Sequence, residues 1–322
     1  MLTAQDLRGV LGILPTPAKE GADHIEATDT VNLNETARVV EQLIRDGVTG
    51  IIALGTMGEC STLTQQEYEA FVDCLLSTVK RRVPTFVGTT ALGAHEVVRR
   101  IRFVKELGAD GTLLGLPMWQ PCTLDMALQY YASISQMFPS FAIMAYANSR
   151  AFRYDFGLEF WRRVRSVAPT VMAAKFSNQK ILVDAVAASD RSINFVGKET
   201  QVHQFAQLSP ETTIACWIPA VFPYPAQALM KAITARDREK AKQIAHDIAL
   251  AMEPIEPFAA NNPEVFASYN IQIEKIFMNA AGYCKAGPIR PPYHVVPENI
   301  AKAAQESGAR YIQLSEKYRT RQ

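Results

Sequence analysis

The sequence lacks the features that mark several classes of protein. Only five of its 322 residues are cysteines and five are histidines. They are scattered, with no CxxC, no HExxH and no histidine pair at helical spacing. We therefore expect reduced, mostly buried thiols without a disulfide framework, and neither a metal nor a cofactor. The longest apolar runs are far shorter than the roughly 18 residues that a membrane-spanning helix requires.

The sequence also has no excess of charge of one sign. Lys and Arg number 33, Asp and Glu number 32, and the net charge is +1. Such a chain has no overall field to attract nucleic acid or an anionic membrane, so we expect neither as a partner. Asp6 and Arg8 lie where a secretory signal would be apolar. We therefore expect a cytoplasmic protein that binds a small charged ligand locally.

What the sequence does have is a regular alternation of β-rich and helical segments. Several β-rich runs are apolar at consecutive positions, which indicates strands covered on both faces. The eight runs, each bounded by Gly, Pro or Asn, are 12–17, 49–56, 85–90, 111–117, 141–148, 171–177, 193–199 and 212–219. An open doubly wound sheet would normally carry a GxGxxG loop after its first strand, and none is present. We predict an α/β fold, a (β/α)₈ TIM barrel over residues 1–250 with a C-terminal helical extension over 251–322 packed on it.

The segments between these runs have helical periodicity and recognisable ends. Residues 34–47 place apolar side chains on one side and finish with a glycine suited to a C-cap. Residues 64–82 begin with Thr64 and carry Glu67 three positions later, which predicts a capping box. Further helices are predicted over 94–110, 264–282 and 297–317, the last two separated by an RPPY turn at 290–293.

In a TIM barrel the chemistry lies at the C-terminal ends of the strands. Lys175 stands in an apolar run, where burial would lower its pKa and leave a neutral amine able to attack a ketone, unless it pairs with a carboxylate. Lys198 competes for that role, but Glu199 follows it, so we interpret Lys198 as an ion-pair or ligand-orienting residue. Tyr146 is either a core side chain or a proton carrier. The turn GTMGE (55–59) is either a plain strand-to-helix turn or a binding loop for a carboxylate or phosphate.

The order and spacing of GTMGE, Tyr146 and Lys175 resemble the pyruvate-dependent class I aldolase superfamily, which includes dihydrodipicolinate synthase and N-acetylneuraminate lyase. Within it, the likeness is closer to the hydratase-aldolases of aromatic hydrocarbon degradation that act on trans-o-hydroxybenzylidenepyruvate or carboxybenzalpyruvate. The motifs that carry it are GTMGECSTLT (55–64), LPMWQP (116–121), YANSRAFRYDF (146–156), ACWIP (215–219), YNIQIEK (269–275) and AGPIRPPY (286–293).

Two departures from the wider superfamily bear on the substrate. Met118 and Trp119 stand where dihydrodipicolinate synthases have a second tyrosine, which removes the usual tyrosine relay and argues against that enzyme's reaction. Ser149 replaces the proline that usually follows the tyrosine motif, which alters the loop. Trp119 and Trp217 are either core residues or partners of a flat aromatic group.

The resemblance implies a carbon–carbon lyase that converts an arylidenepyruvate to an aromatic aldehyde and pyruvate. Lys175 would form a Schiff base and Tyr146 would carry protons. Three residues of the turn, Thr56, Met57 and Gly58, would hold the pyruvyl carboxylate. The candidates for water and aryl positioning are Trp119, Trp217, Asn270 and Arg153, the last facing an ortho substituent. The alternative for Asn270 is a helix cap or a surface amide. The alternative for Arg153 is an exposed, solvated side chain.

Two other functions remain open at this stage. One is another pyruvate-dependent aldolase or synthase of the superfamily, acting on a sugar acid or a semialdehyde. The other is a non-catalytic protein that binds a 2-oxo acid, which the joint presence of Lys175, Tyr146 and Thr56 disfavours. The superfamily commonly forms tetramers, so the resemblance also implies a homotetramer.

Overall fold

The strands of the protein close into a single parallel barrel. The computed structural model describes residues 2–176, 178–200, 208, 212–259 and 262–319. Each strand pairs with the next in the sequence, and the eighth pairs with the first. The strands are β1 (Gly9–Leu14), β2 (Gly50–Ala53), β3 (Thr85–Gly88), β4 (Gly111–Leu114), β5 (Ala142–Ala147), β6 (Val171–Phe176), β7 (Asn194–Lys198) and β8 (Ala215–Pro219). The predicted TIM barrel is confirmed.

All eight predicted strands are present, although most are shorter than their apolar runs. The main error concerns β1, which ends at Leu14 because Pro15 and Pro17 have no N–H group to donate to a neighbouring strand. The strand instead begins at Gly9, three residues before the predicted start. Ser177, the last residue predicted for β6, lies outside the described residues.

Helices alternate with these strands and form the outer layer. In the described part of the chain, none of them is both long and apolar enough to span a membrane. They are α1 (Leu33–Arg45), α2 (Gln65–Val79), α3 (Ala94–Glu106), α4 (Leu124–Met137), α5 (Ser149–Phe152), α6 (Leu158–Val167), α7 (Leu182–Ala188), α8 (Tyr224–Thr234), α9 (Arg238–Met252), α10 (Pro263–Ala281) and α11 (Glu298–Tyr318). Short 3-10 helices cover Ala4–Asp6, Gln179–Ile181 and Glu253–Phe258.

The structure confirms the capping residues predicted at two helix ends. At the start of α2, the Thr64 hydroxyl accepts a hydrogen bond from the Glu67 N–H, and the Glu67 carboxylate accepts one from the Thr64 N–H. This reciprocal capping box satisfies two N–H groups that the helix itself leaves without partners. At the C-terminal end of α1, Gly47 follows the capping residue Asp46 and has a φ of +83°, a left-handed conformation that suits glycine.

The C-terminal helices pack against each other, and α10 reaches one end of the barrel. The long helix α11 packs along α10 and also contacts α8 and α9. Gly308 permits this approach, since a Cβ there would lie 2.8 Å from the Phe277 carbonyl oxygen. Inside α10, Tyr269 has non-helical angles (φ −120°, ψ 16°), so the helix is kinked immediately before Asn270. The first half of α10 thereby reaches the C-terminal ends of the strands, where it lines a cavity.

Candidate active site

A cavity of about 210 Å³ lies at the C-terminal ends of the barrel strands. The end of β5, β6, β7 and β8 and the turn after β2 form its barrel side, and residues of the C-terminal segment form the opposite wall. The side chains with polar or reactive groups that line it include Tyr146, Lys175, Lys198, Trp217, Asn270 and Glu274. The cavity therefore contains the predicted lysine and tyrosine together.

Lys175 lies next to Tyr146 because β5 and β6 pair with these two residues in register. Its Nζ lies 4.9 Å from the centroid of the Tyr146 ring and 4.1 Å from that of Trp217. Burial lowers the pKa of Lys175, and the nearby Tyr146 and Glu274 oppose only part of this effect. Among the described residues Lys175 has no ion-pair partner. The geometry therefore does not support the alternative in which Lys175 pairs with a carboxylate.

Hydrogen bonds hold the Tyr146 hydroxyl from two directions. It lies 3.0 Å from Thr56 Oγ1, and the Asn148 side-chain amide donates to it at 3.3 Å. Burial raises the pKa of Tyr146, but the positive charge of Lys175 and these hydrogen bonds lower it by more, to below the usual 10. A phenol with a lowered pKa beside an amine is suited to proton transfer.

The GTMGE turn brings two of its residues to the site. Thr56 contacts Tyr146, and Met57 lines the cavity. Gly58 supports them from behind, because a Cβ at this position would lie 2.9 Å from the Leu54 nitrogen. The Thr16 hydroxyl also donates to the Gly58 carbonyl at 2.7 Å. The turn is therefore a rigid, closely packed platform and not an exposed loop.

Behind this turn, Glu59 forms a buried ion cluster with two cations from the C-terminal segment. Its Oε2 lies 2.7 Å from Lys275 Nζ and 2.5 Å from Arg290 Nη1, and all three side chains are nearly inaccessible to solvent. Arg290 also donates to the carbonyl oxygen of Thr16 and to the Thr30 hydroxyl. Burial lowers the pKa of Lys275, which Glu59 partly offsets. This cluster was not predicted from the sequence, although its members lie in the GTMGE, YNIQIEK and AGPIRPPY motifs.

Lys198 forms the predicted ion pair, but its partner comes from α10. Its Nζ lies 3.3 Å from Glu274 Oε1 and 5.6 Å from the centroid of the Trp217 ring. The adjacent Glu199 is buried, and its Oε2 has no hydrogen-bond partner in the described structure. Burial raises the pKa of Glu199 to about 7, an effect that Lys198 only partly opposes.

The remaining predicted residues divide into two groups. Trp217 and Asn270 line the cavity, and the buried Nε1 of Trp217 has no protein partner in the described structure. Trp119 is 76% exposed, and its carbonyl oxygen accepts a hydrogen bond from Arg153 at 3.1 Å. Neither of this second pair belongs to the described cavity lining.

Some cavity residues were not predicted from the sequence. The arginine that lines the cavity is Arg150, whose guanidinium lies 5.0 Å from the centroid of the Phe266 ring. Asn148 is another cavity residue that was not predicted. Its position in the YANSRAF motif, two residues after Tyr146, was the only local pattern that could have identified it. Glu274 and Phe266 face the site only because α10 folds back over the barrel, which local sequence patterns do not reveal.

Comparison with known proteins gives close relatives over nearly the whole chain. A trans-O-hydroxybenzylidenepyruvate hydratase-aldolase of Pseudomonas putida is 40% identical, covering 98% of this chain and 96% of the relative. A trans-2'-carboxybenzalpyruvate hydratase-aldolase of Nocardioides sp. (strain KP7) is 33% identical with the same coverage. Among solved structures, PhdJ bound to a substrate intermediate superposes with a TM-score of 0.93 at 32% identity, covering 99% of both chains.

More distant relatives share the architecture. A crystal structure of dihydrodipicolinate synthase superposes with a TM-score of 0.78 at 19% identity, which indicates a common fold. The model of the dihydrodipicolinate synthetase family matches residues 8–306, which include the barrel and most of the C-terminal helices. The chain therefore belongs to the dihydrodipicolinate synthetase family.

Proposed function

We propose that this protein is a Schiff-base hydratase-aldolase that converts an arylidenepyruvate to an aromatic aldehyde and pyruvate. The observation that carries the proposal is the position of Lys175, with its amine between the rings of Tyr146 and Trp217. The names of the relatives from Pseudomonas putida and Nocardioides support the same reaction, with a hydroxylated or carboxylated ring. The aromatic side chains of Trp217 and Phe266 in the cavity favour an aryl group over a sugar.

The reaction begins when the neutral Lys175 amine attacks the ketone and water is lost, which gives an iminium conjugated with the alkene. Because the positive nitrogen withdraws electrons, water adds at the carbon that bears the aryl ring. Protonation of the resulting enamine gives a hydroxylated iminium. Loss of the hydroxyl proton then breaks the carbon–carbon bond and releases the aldehyde. The remaining pyruvate enamine is protonated and hydrolysed, which frees Lys175.

We propose that Tyr146 moves protons during formation and hydrolysis of the Schiff base. Its hydroxyl is oriented by Thr56 and Asn148, and its ring lies beside the Lys175 amine. We propose that Thr56 and the Met57 backbone N–H hold the pyruvyl carboxylate, and that Gly58 keeps this turn compact. Such fixed donors orient the ketone for attack at little cost when the reaction occurs.

We propose that Trp217 and Asn270 contact the aryl end of the substrate, since both line the cavity. Trp119 and Arg153 lie together on the adjoining loops, and we propose that they meet an aryl ring at the outer rim. Replacing Trp119 by alanine should raise the KM for bulky arylidenepyruvates and leave the KM for pyruvate in the reverse reaction unchanged. An unchanged KM for both would remove Trp119 from the site.

The decisive experiment is borohydride reduction in the presence of pyruvate, followed by peptide mass mapping. We expect a pyruvyl adduct on Lys175 and none in Lys175→Ala. Lys198→Arg serves as the matched control, because it keeps a cation at the second lysine of the cavity and should still be labelled on Lys175. An adduct on another lysine, or full activity of Lys175→Ala, would disprove the Schiff-base role.

Three properties of the whole protein belong to the same proposal. We propose a homotetramer, which light scattering after gel filtration would test. We propose a cytoplasmic location, since all five cysteines are free, as is usual in a reducing compartment. We also propose that residues 1–250 form the barrel unit and that 251–322 form an extension that completes its site.

A further inference from the structure

The ion pair between Lys198 and Glu274 lies in the cavity but has no part in the mechanism above. The Glu274 side chain is 4% exposed and that of Lys198 is 16% exposed. Glu274 lies one helical turn after Asn270 on α10, so both side chains face the cavity. Lys198 bonds to Oε1 of Glu274, and in the described structure no protein group donates to its second oxygen. One carboxylate oxygen of Glu274 is thus bound by Lys198, and the other can accept a further hydrogen bond.

The strand register places this pair above the reactive amine. Lys175 is paired with Val196 on β7, and Lys198 follows two residues later, on the same side of the strand. Two residues advance a strand by about 6.6 Å, so Lys198 is one layer nearer to the mouth of the barrel. Lys198 is in turn paired with Trp217 on β8, the ring that covers the Lys175 amine. A substrate that is attached to the Lys175 amine and extends towards the mouth of the barrel therefore reaches this layer.

We infer that Glu274 is the catalytic base of the hydration step and that Lys198 is its positioning residue. The inference rests on the proposed function and specifies how water is activated. Glu274 would accept one proton of a water molecule while the water oxygen forms a bond to the aryl-bearing carbon. The alkene electrons move to form the enamine, which neutralises the iminium nitrogen. Glu274 then returns the proton to the carbon next to the iminium carbon, and the carboxylate is regenerated.

The pairing with Lys198 places a cation beside the buried carboxylate of Glu274. Burial disfavours the charged form of a carboxyl group, and an adjacent cation restores it. Glu199 illustrates the first effect in the same region, since it is buried without a partner for Oε2 in the described structure. Tyr146 is already engaged with Thr56 and Asn148, so a separate base for water leaves it available for the Schiff-base steps.

The test separates hydration from cleavage by using two substrates. Benzylidenepyruvate requires both steps, whereas racemic 4-hydroxy-4-phenyl-2-oxobutanoate is already hydrated and requires only cleavage. For Glu274→Gln we expect kcat on the first substrate to fall about 100-fold or more and kcat on the second to fall about threefold at most. Glutamine can still accept the Lys198 hydrogen bond, so the cavity should keep its shape. Glu264→Gln, an exposed position on the same helix, is the matched control and should not change either rate.

Lys198 provides an independent variant. Lys198→Met should slow hydration selectively, because it removes the cation that holds Oε1 of Glu274 in place, and Lys198→Arg should restore most of the rate. Trapping of pyruvate on Lys175 by borohydride should persist in all of these variants. Equal losses on both substrates, or no loss on benzylidenepyruvate, would overturn the assignment of Glu274. If the wild-type protein cleaves neither substrate and forms no adduct, the proposed function itself fails.

Discussion

Replacing Lys275 by methionine tests how strongly the buried cluster of Glu59, Lys275 and Arg290 stabilises the protein. Lys275 and Glu59 are both 0% exposed, so the variant removes one cation from a carboxylate that has no access to water. Removing one partner of a buried ion pair typically costs about 3–5 kcal/mol, because the remaining charge stays buried. Arg290 still contacts Glu59 at 2.5 Å, which favours the lower end, about 3 kcal/mol.

The measurement is urea-induced unfolding followed by circular dichroism and by tryptophan fluorescence. Lys302→Met is the matched control, since Lys302 pairs with Glu298 at the surface, where the two side chains are 72% and 82% exposed. Exposed pairs contribute about 0–1 kcal/mol, so the control should hardly change the unfolding free energy. A loss below about 1 kcal/mol for Lys275→Met would refute the reasoning, since it would mean that the charge of Glu59 is fully compensated without Lys275.

Three other predictions concern the site itself. Tyr146→Phe should lower kcat about 100-fold with little change in KM, because the ring stays while the proton carrier is lost; steady-state kinetics would contradict this if kcat were unchanged. Because burial lowers the pKa of Lys175, the neutral amine should become half-populated below pH 10.5, so the midpoint of the pH profile of pyruvate trapping should lie below that pH. A midpoint at or above pH 10.5 would oppose this reasoning. Gly58→Ala should cost about 1–3 kcal/mol through overpacking against Leu54 and raise the KM for pyruvate in the reverse reaction. Gly157→Ala is the control for that KM and should leave it unchanged, because Gly157 caps α6 and a Cβ there meets nothing within 4 Å.

The sequence predicted the parts of the site that local patterns encode. A lysine in a doubly covered strand and a tyrosine at the end of the preceding one identified Lys175 and Tyr146, and strand pairing then brought them together. The capping box of Thr64 and Glu67 was likewise visible, since it depends on a spacing of three residues.

The residues that were missed depend on distant parts of the chain. Glu274 is 76 residues from Lys198, and Lys275 is 216 residues from Glu59. No periodicity relates such pairs, because their contact arises from the packing of α10 on the barrel. Arg150 was not predicted, although it lies in the same loop motif as Arg153, because only the short helix α5 determines which arginine faces the cavity.

The kinked helix α10 divides the site into two parts with different chain origins. The barrel strands supply the amine and the phenol, while α10 supplies Phe266 before its kink and Asn270 and Glu274 after it. Lys275, the next residue along, is fixed to the turn after β2 through Glu59. Residues 263–273 can therefore vary while Glu274 and the pyruvate chemistry are kept, so exchanging this segment between relatives is a direct route to enzymes that release different aldehydes.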